Sequence, residues 1–158
     1  MTPDSRSRKE TIMLKCNSVR VVLIAAGALL FAMGCRPSGY SFVETDKINT
    51  VDDLSTLMWV QADSADPRFD IADDLEDAPS KMTDAQAREF IDLGQRLQAS
   101  SKRLLHFTQG EKFTSWANGM GAQAAALEKA ARAGNGAEAV KQTFAIRTSC
   151  RSCHSEYR

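Results

Sequence analysis

The stretch 111–136, EKFTSWANGMGAQAAALEKAARAGNG, decides the fold class. Phe113, Trp116, Ala117, Met120, Ala124, Leu127 and Ala131 recur at spacings of three and four, the period at which side chains share one face of an α-helix. Gly134-Asn135-Gly136 breaks that pattern, and from Ala137 the same period resumes through Val140, Phe144 and Thr148. Upstream, Thr83-x-x-Gln86 is a capping box that opens a helix with the apolar face Phe90, Leu93, Gly94, Leu97, Ser101, Leu104 and Leu105, ended by Gly110. A first helix is expected from a cap on Thr50, three residues before Asp53, burying Val51, Leu54, Leu57 and Met58 and fading near Asp66-Pro67. The next stretch, Asp66 to Ser80, reads as an exposed acidic connector pinned by Phe69, Ile71 and Leu75. No strand alternation competes, so the chain reads as all-α. The short breaks between later helices predict an antiparallel up-down-up-down four-helix bundle over residues 49–158.

The N-terminal part reads as an export segment. Five basic residues precede or flank the apolar run Val21 to Met33, whose 13 residues suit a signal-peptide core and are short for a membrane span. Leu30-Phe31-Ala32-Met33-Gly34-Cys35 resembles a lipobox, which makes residues 1–34 a lipoprotein-type signal, Cys35 the lipidation site and residues 35–48 a tether rich in Pro, Ser and Gly at its start. Met13 is an alternative start, and an ordinary signal peptide or uncleaved anchor the alternative to lipidation. Either way the expected location is periplasmic, with a lipid anchor holding the protein at the membrane.

Charge narrows the partners. The whole chain is neutral, with 20 basic and 20 acidic residues, but removing the first 35 leaves 15 against 18. A net acidic domain is a poor ligand for nucleic acid. Residues 36–80 carry 3 basic and 11 acidic side chains and residues 81–158 carry 12 and 7, an asymmetry that reads as attraction between neighbouring helices ahead of a docking patch.

The chemistry lies in the last nine residues, where the fourth helix runs into Cys150-Arg151-Ser152-Cys153-His154. Two thiols three apart can add to the two vinyl groups of a haem while the adjacent imidazole ligates its iron. Zinc would need more ligands, and His106 is the only other histidine. A dithiol redox pair or a structural disulfide also remains open, although redox pairs open a helix in a βαβ setting and this pair closes one. Counting at ~1.5 Å per residue, Met58 lies about 10 Å above the start of the first helix and Cys150 about 12 Å above the C-terminus, so the two share a height. Trp116, Met120 and Leu104 fall in the same layer and would wall a haem placed at that end, though all three sit at ordinary core spacing. Met58 is the candidate sixth iron ligand because a thioether is a soft donor. If the iron is five-coordinate, Leu54 caps the distal side.

The run Thr148-Ser149-Cys150-Arg151-Ser152-Cys153-His154-Ser155-Glu156-Tyr157-Arg158 resembles the C-terminal end of class II cytochromes c, the cytochrome c′ type, and the likeness extends through Ala117, Leu127, Ala130-Ala131, Gly134 and Phe144. The first helix and the acidic connector match less well. The resemblance implies a monohaem bundle with one covalent haem c at one end, His154 as proximal ligand and Arg158 close to the proximal face, and the order Leu57-Met58 looks like that of methionine-ligated members. The expected function is one-electron transfer to redox partner proteins. The alternatives are a five-coordinate protein binding a gas such as nitric oxide, or a non-haem structural lipoprotein with a disulfide. No feature calls for a turnover enzyme, and a homodimer is compatible with the family.

Overall fold

The computed structural model describes residues 43–107 and 109–157; the expected signal segment, Cys35 and Arg158 lie outside them. Four main helices pack together, and no strand occurs among the described residues. They are α1 (Leu54–Leu75), α2 (Asp84–Leu104), α3 (Glu111–Arg132) and α4 (Gly136–Tyr157). The all-α bundle expected from the periodicity is therefore what forms.

Cross-helix contacts fix the directions. Val51, Ser64 and Arg68 meet Arg103, Arg96 and Asp92 in turn, so position rises along α1 as it falls along α2. Ser101 meets Ala117, and Gln95 meets Glu128. Lys112, Phe113 and Gln123 meet Glu156, Tyr157 and Ser149. Consecutive helices are antiparallel, and the cycle closes where Asp73 of α1 meets Arg147 of α4.

Three boundaries differ from the sequence reading. First, Asp53 and not Thr50 caps α1: its carboxylate accepts from the Thr56 N–H at 2.7 Å, a charge-assisted bond at the positive helix end. Thr50 instead donates to the Lys47 carbonyl, closing a 3-10 segment over Thr45–Thr50. Within this stretch Ile48 is fully buried and the Val43 carbonyl accepts from Arg96, so the expected tether ends before residue 43 and its last residues belong to the packed domain.

Second, the acidic connector is helix. α1 runs through Pro67 to Leu75, and a 3-10 turn, Pro79–Lys81, leads to α2. Proline normally breaks a helix by removing one donor; here Pro67 and Asp63, whose carbonyl loses that donor, are both exposed and open to water. Beyond them Ala72 and Leu75 are buried and repay continuation. Arg147 explains much of the acidity: it grips the Asp73 carboxylate through two 2.8 Å hydrogen bonds and lies over the rings of Phe69 and Phe144. The charge asymmetry is thus partly inter-helix attraction.

Third, α2 ends at Leu104, followed by a 3-10 turn, Leu105–Phe107, while Gly110 starts α3. Its φ of 97° suits glycine, and its carbonyl accepts the first α3 hydrogen bond, from Thr114. The Thr83/Gln86 capping box forms as expected.

Candidate functional site

The signature residues lie at the C-terminal end of α4. At about 100° per residue, Cys150 continues the inward face made by Ala139, Thr143 and Ile146; Cys153 falls about 60° to one side and His154 about 40° to the other. Cys150 packs against the edge of the core, Cys153 is half-buried, and His154 is exposed. Both cysteines carry free thiols. Burial pushes the Cys150 thiol up from its ordinary value, with the charges of Cys153 and Asp66 adding to the effect, and burial does the same for Cys153. Protonated, half-buried thiols are poor nucleophiles for disulfide exchange, which weighs against the dithiol reading.

The α3–α4 contacts place Met120 level with Cys150, and Trp116 level with His154. Met120 and Leu104 are buried, whereas Trp116 is half-buried. Phe113 meets Tyr157 edge to face with ring centroids 5.5 Å apart; this contact closes the same end and was not anticipated. His106 is exposed in the 3-10 turn after α2.

On α1, Leu54 and Met58 are partly buried against the core. Two counts of register bear on Met58. Passing round the bundle through α2 and α3, its level meets Ser100 to Lys102, then Met120, then Cys150. Across the direct α1–α4 contact, where Phe69 and Asp73 meet Arg147, Met58 falls near or beyond the end of α4.

A residue the sequence reading passed over lies between them. Gln61 is one turn beyond Leu57 and Met58 and one turn before Ala65, at the centre of the inward face of α1, where its Nε2 is buried with no hydrogen-bond partner. Ser100 of α2 is 1 % exposed and its Oγ is likewise unpartnered. Since Ser64 meets Arg96 across the same interface, Gln61 and Ser100 share a layer. The sequence signal was available: an amide interrupting the stripe Leu54, Leu57, Met58, Ala65.

These features fit a covalently held planar group. Two free thiols three apart and an imidazole stand close together on α4, large apolar side chains stand level with them on α3, and three unpartnered polar atoms, Gln61 Nε2, Arg68 Nε and Ser100 Oγ, lie on the α1–α2 side. No group of three or more His, Cys, Asp or Glu suited to a bare metal ion occurs among the described residues.

No curated protein and no solved structure matches the chain significantly. A family model described as Cytochrome C′ matches residues 71–158, more than half of the chain and all of α2, α3 and α4. The match leaves out residues 54–70, which include Leu54, Met58 and Gln61. With the signature triad at the end of its last helix and that match over the bundle, the chain belongs to the cytochrome c′ family of haem proteins, which carry covalent c-type haem and are generally periplasmic.

Proposed function

We propose that the protein is a monohaem electron carrier, with haem c attached through Cys150 and Cys153 and His154 as the proximal iron ligand. The observation that carries this reading is the grouping of two free thiols and an imidazole within about 100° of arc on the last turns of α4, with Cys150 turned to the core and His154 exposed. Cys150 and Cys153 would hold the group through thioethers, each S–H adding across one vinyl group with sulfur and hydrogen going to its two carbons, which needs no oxidant. The haem, when bound, supplies one-electron iron chemistry at a potential set by axial ligation and burial. The chain's own residues position it and limit its contact with water. Met120 and Leu104 supply apolar walls at that level, and Trp116 and the Phe113–Tyr157 pair close the end.

Met58 is the proposed sixth ligand, which would favour electron transfer over ligand exchange. The second reading, a gas-binding protein with Leu54 over the distal side, draws support from the unpartnered Gln61 Nε2 and Ser100 Oγ on the α1–α2 side. A haem-free lipoprotein would join Cys150 and Cys153 in a disulfide and show no Soret band.

The deciding experiment is the pyridine haemochrome spectrum of protein exported from cells with haem-maturation machinery. A two-thioether spectrum is expected for the wild type, with its loss in Cys150→Ser and Cys153→Ser. Ordinary haem attachment in both variants would refute the assignment.

A further inference from the structure

The last turn of a helix is its weakest, because its carbonyls have no partners within the helix and few neighbours hold it. In α4 that turn carries His154, an exposed side chain followed in the helix by Ser155, Glu156 and Tyr157. An imidazole on a fraying turn takes up many orientations, whereas a metal ligand is directed by what holds it in place. Cys150 and Cys153 both precede His154 and cannot hold the turn from beyond it.

The hold from beyond comes from the first turn of α3. Phe113 is 5 % exposed and is part of the core where α3 begins. Its ring meets that of Tyr157 edge to face, with 5.5 Å between centroids. One residue earlier on each helix, the Lys112 ammonium stands 2.6 Å from the Glu156 carboxylate. A carboxylate in the last turn opposes the negative end of the helix dipole, so Lys112 also relieves a charge conflict there. The two contacts differ in weight. Both members of the ion pair are exposed, and such pairs shift an equilibrium little. An edge-to-face aromatic pair is worth about a two- to tenfold shift, and here one of its rings is anchored in the core. Tyr157 lies nearly one turn beyond His154, so fixing it keeps the turn around the imidazole helical.

We propose that Phe113 is a positioning residue for the proximal imidazole. It seats the Tyr157 ring, which holds the last turn of α4 helical and so fixes the direction in which His154 presents its ring, while Lys112 and Glu156 play a minor part. The inference rests on haem attachment at Cys150 and Cys153 and on ligation by His154, and it adds to them a support on a different helix.

The test uses the holoprotein and reads the iron–histidine stretching band of the ferrous form just after photolysis of carbon monoxide, a state that does not depend on the resting sixth ligand. Tyr157→Ala should shift and broaden that band, and the amides of the C-terminal peptide should exchange with deuterium about two- to tenfold faster. Phe113→Leu should reproduce both effects. Tyr157→Phe keeps the ring and should restore wild-type behaviour. Leu127→Ala opens a cavity at a fully buried position farther along α3 and is the control for general loosening; it should lower Tm and leave the band in place. An unchanged band in Tyr157→Ala, a Tyr157→Phe band displaced as far as that of Tyr157→Ala, or an equal displacement in Leu127→Ala overturns the proposal. A Lys112→Met band moved as far as that of Tyr157→Ala would give the role to the ion pair and overturn that of Phe113. If Phe113→Leu does not fold, the two substitutions at the exposed Tyr157 decide. A wild type without covalent haem overturns the haem reading and this inference with it, a failure that the haemochrome spectrum separates from a band that does not move.

Discussion

Gly94 and Gly119 offer the same substitution in two helices with opposite expected outcomes. Gly94 is buried where α2 meets α3, and a Cβ there would stand 2.9 Å from the Ala124 carbonyl oxygen and 2.9 Å from the Glu128 Cβ. Neither neighbour is the free end of a flexible side chain, so the helices must separate. Gly119 of α3 is exposed, and a Cβ there meets nothing within 4 Å. Replacing glycine by alanine inside a helix gains about 0.5–1 kcal/mol. Forcing an extra carbon into a packed contact costs about 1–3 kcal/mol. Gly119→Ala should therefore stabilise by about 0.5–1 kcal/mol, and Gly94→Ala should destabilise by about 0.5–2 kcal/mol. For a domain of this size 1 kcal/mol shifts Tm by about 4 °C, so the variants should bracket the wild type with Tm values about 4–12 °C apart. Calorimetry of the holoproteins measures this directly, with the Soret band confirming equal haem content. A Gly94→Ala protein as stable as Gly119→Ala would refute the close α2–α3 approach on which the positions of Gln95, Gln98 and Glu128 depend.

Loss of haem from Cys150→Ser and Cys153→Ser is the first of the remaining predictions, and it should be accompanied by a lower Tm because a bound cofactor stabilises the folded state. If Met58 holds the sixth position, the ferric protein is low-spin, and Met58→Ala becomes high-spin and binds carbon monoxide faster; a high-spin wild type that Met58→Ala leaves unchanged removes Met58 from the metal site. The Arg147 guanidinium holds the Asp73 carboxyl below its ordinary value of 3.8, so this pair's stabilisation is present above that value and fades as pH falls through the lower, folded one. Acid unfolding of Asp73→Asn should accordingly depend less on pH below about 4 than that of the wild type, and superimposable acid limbs would contradict the pairing. Lipidation predicts that labelled palmitate enters the wild type but not Cys35→Ala, and absence of label from the wild type would exclude an anchor at Cys35.

Much of this protein was legible in one dimension because the deciding signals are local. A capping box needs only residues 83 and 86, a helical face needs only apolar residues three and four apart, and the attachment signature is five consecutive residues. Where local signals competed, the sequence alone misled. Thr50 and Asp53 both offered caps, and the choice fell to the packing of Ile48 and Val51, which uses up Thr50 in a preceding turn. Pro67 and six acidic residues argued for a loop, yet Arg147, 74 positions away from Asp73, supplies a counter-charge, and the buried Ala72 and Leu75 supply a reason to stay helical. Gln61 shows the same limit. Composition marks it only as a polar residue in an apolar stripe, and whether such an amide reaches water, a neighbour or nothing depends on which helices surround it. The sequence determined that there are helices with inward faces and a haem-attachment motif on the last of them; tertiary structure alone decided which polar groups were left inside without partners, because that depends on atoms distant in the chain and close in space.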